Sequence, residues 1–132
     1  MKMKPSIYIL MNEYFQEMKD KDYFTNVWLY GLEMEIYVRK GHHHLFEEKT
    51  TKEAYVSSFT TCLDIANVTV YDKGHGIFTV FLKRMETIIK DHDTFKAIYV
   101  ESVQTKRFCR YLERCGYTKQ YNSMLPSYYK FK

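Results

Sequence analysis

The sequence predicts a mixed α/β domain, and three neighbouring segments carry this prediction. Residues 62–70 are mostly apolar, as in a strand that is covered on both faces. A glycine turn at 71–76 leads into an amphipathic helix over 77–90, and a second buried strand follows over 95–100. This alternation of strands and helix is typical of α/β architecture.

The other elements follow from hydrophobic periodicity and from residues that begin or end them. In residues 32–40 apolar side chains alternate with polar ones, which predicts a half-buried strand. Gly41 and the three histidines after it predict a turn, and the polar run 47–53 predicts a loop. The remaining predictions are a helix over 5–19, strands over 26–30 and 55–59, a helix over 106–115 that stops at Gly116, and one or two edge strands over 118–132.

Length and composition indicate a single domain over residues 1–132. The chain has 45% hydrophobic and 27% charged residues, which excludes disordered and low-complexity classes. Its formal charge of +4 is far from the dense basic footprint of a dedicated nucleic-acid binder. The three cysteines have no metal-ligand spacing, so we expect free thiols in a reducing compartment. The N-terminal segment has no long apolar run and no small-residue cleavage site, which predicts a soluble cytoplasmic protein without a membrane span.

Three adjacent histidines, His42 to His44, suggest a set of metal ligands at first sight. Consecutive side chains on a strand or turn cannot all converge on one ion, and no cysteine or carboxylate lies at ligand spacing. We therefore predict a solvated loop here and no metal site.

The segment Lys73-Gly74-His75-Gly76 predicts an anion site. Its two glycines allow a tight turn and a close approach of backbone N–H groups to a ligand. The helix that follows adds free N–H donors and the positive end of its dipole, which together suit a diphosphate. The chain has neither the P-loop nor the dinucleotide-binding glycine pattern. The alternative is a plain glycine turn into a surface helix.

The same segment resembles the acetyl-CoA motif of the GNAT superfamily of N-acetyltransferases. The family motif is Arg or Gln, two variable residues, Gly, one variable residue, and Gly or Ala; here it is matched by the six residues from Lys73 to Phe78. Paired apolar residues follow at Phe81 and Leu82, as in the family. Downstream, Ile98-Tyr99-Val100-Glu101 is similar to the family's fifth strand, and 105–117 to the helix after it. The resemblance covers 32–129 in element order and 62–117 in motif.

This resemblance implies a GNAT-like fold, with a central mixed sheet of about six strands flanked by three or four helices. It also implies acetyl-CoA, or another acyl-CoA, as the cofactor. Backbone amides of the turn and of the first helical residues would hold the diphosphate, and the fourth strand would hold the pantetheine amides where it parts from the fifth. The cofactor-binding residues implied are Asn67, Val68, Val70, Lys73, Gly74, His75, Gly76, Ile77, Phe78, Thr79 and Thr105.

Several positions depart from the family pattern. Phe78 stands where a glycine or alanine lets the helix approach the phosphates, so its ring must turn aside or narrow the site. Leu112 stands where a tyrosine often protonates the departing thiolate. Tyr111 is one position away, about 100° around the helix, which makes it a poor substitute.

An amine acceptor must lose a proton before or during attack, so a general base is needed. Asp64 lies two alternations upstream of Val68, which predicts that both share one face of the strand. Glu101 ends the fifth strand, across the expected gap. We predict Asp64 and Glu101 as catalytic residues. The alternatives are that Asp64 caps a loop amide and that Glu101 is a solvated strand end.

The expected function is transfer of an acetyl group from acetyl-CoA to a primary amine by direct attack in a ternary complex. The acceptor would be a small molecule or a protein amine, and the protein a monomer or homodimer. Phe78, Leu112 and the aromatic, basic segment 117–132 support an alternative. In it, a catalytically silent GNAT-like domain binds a protein or a nucleic acid, the nucleic acid being less favoured.

Overall fold

The protein forms one six-stranded mixed sheet with helices against it. The computed structural model describes residues 6–19, 26–49, 54–71, 76–121 and 125–132. Within these ranges the chain has three helices and six strands, which confirms the mixed class. They are α1 (Ile7–Lys19), β1 (Val27–Tyr30), β2 (Met34–Lys49), β3 (Ala54–Val70), α2 (Ile77–Lys90), β4 (Ala97–Val100), α3 (Lys106–Arg114), β5 (Thr118–Tyr121) and β6 (Pro126–Phe131).

The strands lie in the order β1-β2-β3-β4-β6-β5. Only β3 and β4 are parallel; the other four neighbouring pairs are antiparallel. Helix α2 connects the parallel pair, since parallel neighbours need a crossover connection.

Strands β2 and β3 form a long hairpin, and the predicted turn at 41–44 is wrong. Pairing runs from Met34 opposite Val70 to Lys49 opposite Ala54, with one register shift between Tyr37 and Val38. Gly41 lies inside β2, opposite Cys62, and the histidine tract is extended strand. The predicted strands 55–59 and 62–70 are one strand, and 47–49 of the predicted loop belong to β2; residues 50–53 lie outside the described residues. The glycine and the polar residues suggested a turn and a loop here. Composition carries no information about the cross-strand hydrogen bonds that hold the segment extended.

The sheet has a different apolar core on each face. The larger core lies under the helices and includes Ile7 of α1, Phe81 of α2 and Leu112 of α3, all fully buried. The smaller core lies on the second face and is built from strand residues. Its buried members are Leu45, Cys62, Ala97, Tyr99 and Tyr129.

The far part of the β2–β3 hairpin reaches over this second face. The side chain of Gln120 in β5 donates to the carbonyl of His44, and the Tyr129 hydroxyl in β6 donates to the carbonyl of Phe46, both at 2.8 Å. Because β5 and β6 lie on the other side of β4, the hairpin must curve across the sheet to make these bonds.

The ends of α2 and α3 follow local signals in the sequence. Helix α2 covers 77–90, as predicted, and begins after Gly76 at φ +67°. Helix α3 begins after Thr105, whose hydroxyl accepts from the Phe108 N–H at 3.2 Å, and Gly116 at φ +88° ends it. No helix in the described ranges combines the length and apolar character that crossing a membrane requires.

Candidate functional site

Strands β3 and β4 separate close to the middle of the sheet. They pair in parallel only from Cys62 opposite Ala97 to Ile65 opposite Val100. The N–H of Glu101 donates to the carbonyl of Ile65 at 3.0 Å, beyond which β4 has ended while β3 continues. The predicted contact segment from Asn67 to Val70 therefore runs past the last β4 partner.

A cleft of about 460 Å³ opens between the start of α2 and one side of α3. We call it the α2–α3 cleft. Helix α3 and its cap contribute a basic and aromatic wall made of Arg107, Phe108, Tyr111 and Arg114. The predicted cofactor residues that line it are Val70, Gly76, Ile77, Phe78, Thr79 and Thr105.

The other predicted cofactor residues are not in this lining. Asn67 and Val68 lie on β3, on the stretch that continues past β4. Lys73, Gly74 and His75 lie outside the described residues.

The N-terminus of α2 provides backbone donors at one end of the cleft. Gly76 has φ +67°, a conformation that favours glycine, and a Cβ built there meets no atom within 4 Å. Among the described residues no side chain caps the helix, and the first turn of α2 holds no acidic residue. The N–H groups of Ile77, Phe78 and Thr79 therefore suit an anionic group.

The ring of Phe78 is 8% exposed and packs in the wall between the helices. It meets the ring of Phe108 edge-on at 5.0 Å and stacks at 6.4 Å on Phe81. The ring is thus turned towards α3 and occupies part of the space between α2 and α3. The cleft remains open beside it.

Tyr111 and Leu112 lie on different sides of α3. Leu112 is fully buried in the larger core, whereas Tyr111 lines the cleft and donates to Thr79 Oγ1 at 2.6 Å. Burial raises the pKa of Tyr111, so its hydroxyl keeps its proton at neutral pH. The residue on the cleft side of α3 is therefore Tyr111, although the family resemblance places the tyrosine at position 112.

An ion-pair network of four residues lies on the second face of the sheet, beside the point where β3 and β4 part. Asp64 is fully buried; His43 Nε2 lies 2.9 and 3.0 Å from its two oxygens, and Arg39 Nε lies 3.3 Å from Oδ2. A terminal nitrogen of Arg39 also binds the Glu101 carboxylate. Both predicted catalytic carboxylates thus belong to this network.

A β-bulge decides which face Asp64 occupies. Tyr37 pairs with Asn67 but Val38 pairs with Ile65, so Ala66 is an extra residue in β3. Val68 consequently packs against the helix-side core, while Asp64 lies on the opposite face across from Arg39. The prediction that Asp64 and Val68 share a face is wrong, because simple alternation does not allow for the bulge.

Two further residues shape the surroundings of Asp64. The His43 ring stacks on Tyr99 at 3.6 Å between centroids, with 9° between the planes. Gly41 lies between Arg39 and His43 on the same face, and a Cβ there would overlap the Asp64 carboxylate. Glycine at 41 is therefore needed for space, since the carboxylate occupies the volume of its missing side chain.

Sequence reasoning missed Arg39, Gly41 and His43. Their spacing of two was a usable signal, because alternate strand residues share a face. Recognising it required the β2–β3 register, which places Asp64 opposite Arg39. The turn assigned to 41–44 concealed this pattern.

The three histidines do not act together. His42 contacts Thr61 Oγ1 through Nδ1 at 3.1 Å, and His44 packs near Phe59 with ring centroids 5.0 Å apart. His43 alone of the three belongs to the network. One ring nitrogen of His43 and one carboxylate oxygen each of Asp64 and Glu101 lie within 4.8 Å of one another, close enough for all three to contact one metal ion. Arg39 already supplies the positive charge between the two carboxylates, so this arrangement fits ion pairing.

Cys62 lies next to the network but is poorly suited to act as a nucleophile. Burial, with a contribution from the Asp64 charge, raises the pKa of its thiol to about 12. We expect a disulfide reagent at pH 8 to modify Cys62 at least about 100-fold more slowly in the folded protein than in guanidinium, since the thiolate is the reacting form. Mass spectrometry of the labelled peptides would measure this rate, with the partly buried Cys109 and Cys115 as internal references. Equal labelling of all three thiols in the folded protein would contradict it.

No protein-family model, curated protein or solved structure matches this chain. The features of the chain that bear on its function are the α2–α3 cleft, the ion-pair network and the resemblance of residues 73–78 to an acetyl-CoA motif.

Proposed function

We propose that this protein is an acyl-CoA-dependent N-acyltransferase that moves an acetyl group to a primary amine in a ternary complex. One observation carries the proposal: six of the residues that the family resemblance implies line one cleft at the start of α2, and one of them, Val70, lies on the stretch of β3 that continues past β4. A glycine turn alone would not require a neighbouring gap between strands. The ion-pair network beside this gap adds groups suited to proton transfer.

The chain's own groups fit the parts of an acyl-CoA in turn. The N–H groups of 77–79 would receive the diphosphate at the uncapped helix end. Arg107 and Arg114, both exposed on α3, would add positive charge for a further phosphate. The backbone of 67–70 past the last β4 partner would pair with the pantetheine amides, as an added strand pairs with a sheet edge.

When bound, the thioester would supply the activated acyl group, and the residues around it would manage charge and protons. Backbone N–H groups where β3 and β4 part would stabilise the developing negative oxygen. Tyr111, protonated and hydrogen-bonded to Thr79, would deliver a proton to the sulfur. Transfer would be direct, because the Cys62 thiol is buried and protonated.

Gly76→Ala should weaken acetyl-CoA binding at least about tenfold in isothermal titration calorimetry, because alanine is strained at φ +67° and would shift the backbone N–H groups that receive the diphosphate. The chain offers a matched control in Gly116→Ala. Both glycines have positive φ, so both variants carry similar backbone strain, but Gly116 is not in the cleft lining. The control should bind like the wild type. Equal affinity for both variants, or no heat with wild-type protein at high micromolar acetyl-CoA, would contradict the proposal.

Turnover would then be measured as thiol release from acetyl-CoA with a panel of primary amines. Polyamines, lysine peptides and arylamines represent the small-molecule and protein classes of primary amine. Release that depends on both substrates supports the transferase. Binding without release from any amine would favour the silent-domain alternative.

A catalytically silent binding domain is the second candidate function, and the exposed rings that support it lie outside the C-terminal segment. Tyr117, Tyr128 and Tyr129 of the C-terminal segment are buried, so these three rings pack in the core and are not available to a partner. On the second face, however, Trp28 and Tyr30 are 40% and 50% exposed and stack at 5.8 Å. Exposed stacked rings are a feature of binding surfaces, and they keep a binding role as the second candidate function.

A further inference from the structure

Resting on the proposed function, we propose that His43 is the general base of the transfer and that Asp64 positions it. The imidazole and the carboxylate form a pair in which Nε2 faces both oxygens of Asp64 at 2.9 and 3.0 Å. A carboxylate accepts hydrogen bonds, so the ring proton resides on Nε2. Nδ1 is then the nitrogen with a free lone pair, and no hydrogen bond to it occurs within the described part of the chain.

The two carboxylates of the network are less suited to this role. Asp64 has a side chain that is 1% exposed, and both its oxygens already accept from His43 or Arg39. Glu101 is more accessible, at 26%, but the Arg39 guanidinium binds it directly. His43, 17% exposed, can take a proton without first breaking an ion pair to arginine.

The surroundings of His43 hold the ring in place. One face of the imidazole stacks on the Tyr99 ring. Because Gly41 has no side chain, the Asp64 carboxylate of the neighbouring strand β3 can approach the imidazole. Tyr99 directly precedes Val100, the last β4 residue paired with β3. The base is therefore fixed beside the gap through which an acyl group would meet its acceptor. A ring held by stacking and by a carboxylate is preorganised for proton transfer.

In the transfer step one N–C bond forms, one C–S bond breaks, and the acceptor nitrogen loses two protons. An ammonium acceptor gives one proton to Nδ1 of His43, which passes it to solvent, and Asp64 stabilises the transient imidazolium. The freed nitrogen lone pair forms the new N–C bond, while the thioester C–S bond breaks and its electron pair leaves on sulfur. The second proton lost by the nitrogen passes to solvent, and Tyr111, which gives its proton to the sulfur, regains one from solvent, so that one proton is released in total.

The kinetic test compares His43→Gln with His42→Gln. The neighbouring histidine contacts Thr61 and is not part of the network, so it serves as the matched control. We expect His43→Gln to lower kcat by about 10²–10⁴-fold with little change in acetyl-CoA affinity, and His42→Gln to leave both unchanged. His43→Ala should regain turnover when imidazole is added, which loss of a merely structural contact would not allow.

Asp64→Asn tests positioning. It should lower kcat rather than raise KM, and the His43→Gln/Asp64→Asn double variant should be no slower than His43→Gln alone, because the two residues act as one unit. Circular dichroism would establish that each variant is folded.

A readout without cofactor tests the geometry directly. Nitrogen-15 NMR of the histidine rings should show the Nε2–H tautomer of His43 in wild-type protein, and mixed tautomers in Asp64→Asn. An Nδ1–H tautomer, or turnover that survives His43→Gln, overturns the role of His43 while leaving the transferase intact. Wild-type protein that neither binds acetyl-CoA nor turns over overturns both proposals.

Discussion

Gly41→Ala is expected to destabilise the protein by about 2–4 kcal/mol, a large loss for so small a change. In an ordinary strand alanine is slightly better than glycine, so propensity alone predicts the opposite sign. Here a Cβ would overlap the fully buried Asp64 carboxylate, with Oδ1 2.7 Å away and Oδ2 closer still. The carboxylate cannot move aside without losing His43 or Arg39.

Chemical denaturation of a double-mutant cycle would test this explanation. Once Asp64→Ala has removed the carboxylate, adding Gly41→Ala should cost less than about 0.5 kcal/mol, since the new methyl group then has space. A Gly41→Ala protein as stable as the wild type would show that the carboxylate does not occupy this space.

Leu112→Ala and Tyr111→Phe should separate stability from activity on adjacent residues of α3. Leu112 is fully buried in the core, so its truncation should cost about 2–5 kcal/mol. Tyr111→Phe keeps the ring that packs near Phe78 and removes only the hydroxyl bonded to Thr79. We expect it to cost about 1 kcal/mol or less and to lower turnover by about 10–100-fold.

Urea titration and thiol-release kinetics on the two variants would measure both effects. Leu112→Ala, assayed at a temperature where it remains folded, should retain most of its turnover per folded molecule. Full activity of Tyr111→Phe would remove the tyrosine from the proton transfer to sulfur. Loss of activity in Leu112→Ala with Tyr111→Phe unaffected would instead restore position 112 as the functional one.

Helix α2 shows what was predictable from local sequence. Its apolar stripe and the glycine before it define both ends, because amphipathic periodicity and a glycine turn are properties of consecutive residues. The family resemblance implied six of the residues that line the cleft. Local patterns therefore suffice where a site is built from one turn and its neighbours.

The ion-pair network shows the opposite case. Arg39 and Asp64 are 25 positions apart, and only the register of β2 against β3 brings them opposite each other. Because Ala66 is an extra residue, the side chains that precede it in β3 lie on the opposite face of the sheet from the one that alternation predicts. Asp64 was recognised as an unusual polar residue in an apolar strand, but its partners were not predictable without the pairing.

The position of β6 has a consequence for how the chain reaches its native state. This strand comes last among the described elements, yet it is inserted between β4 and β5 and holds residues of both cores. During synthesis the β2–β3 hairpin can form early, since the residues that pair are close in sequence. One edge of β4, in contrast, stays unpaired until residues 126–131 emerge from the ribosome. Until then the nascent sheet exposes unpaired backbone of the kind that invites intermolecular pairing.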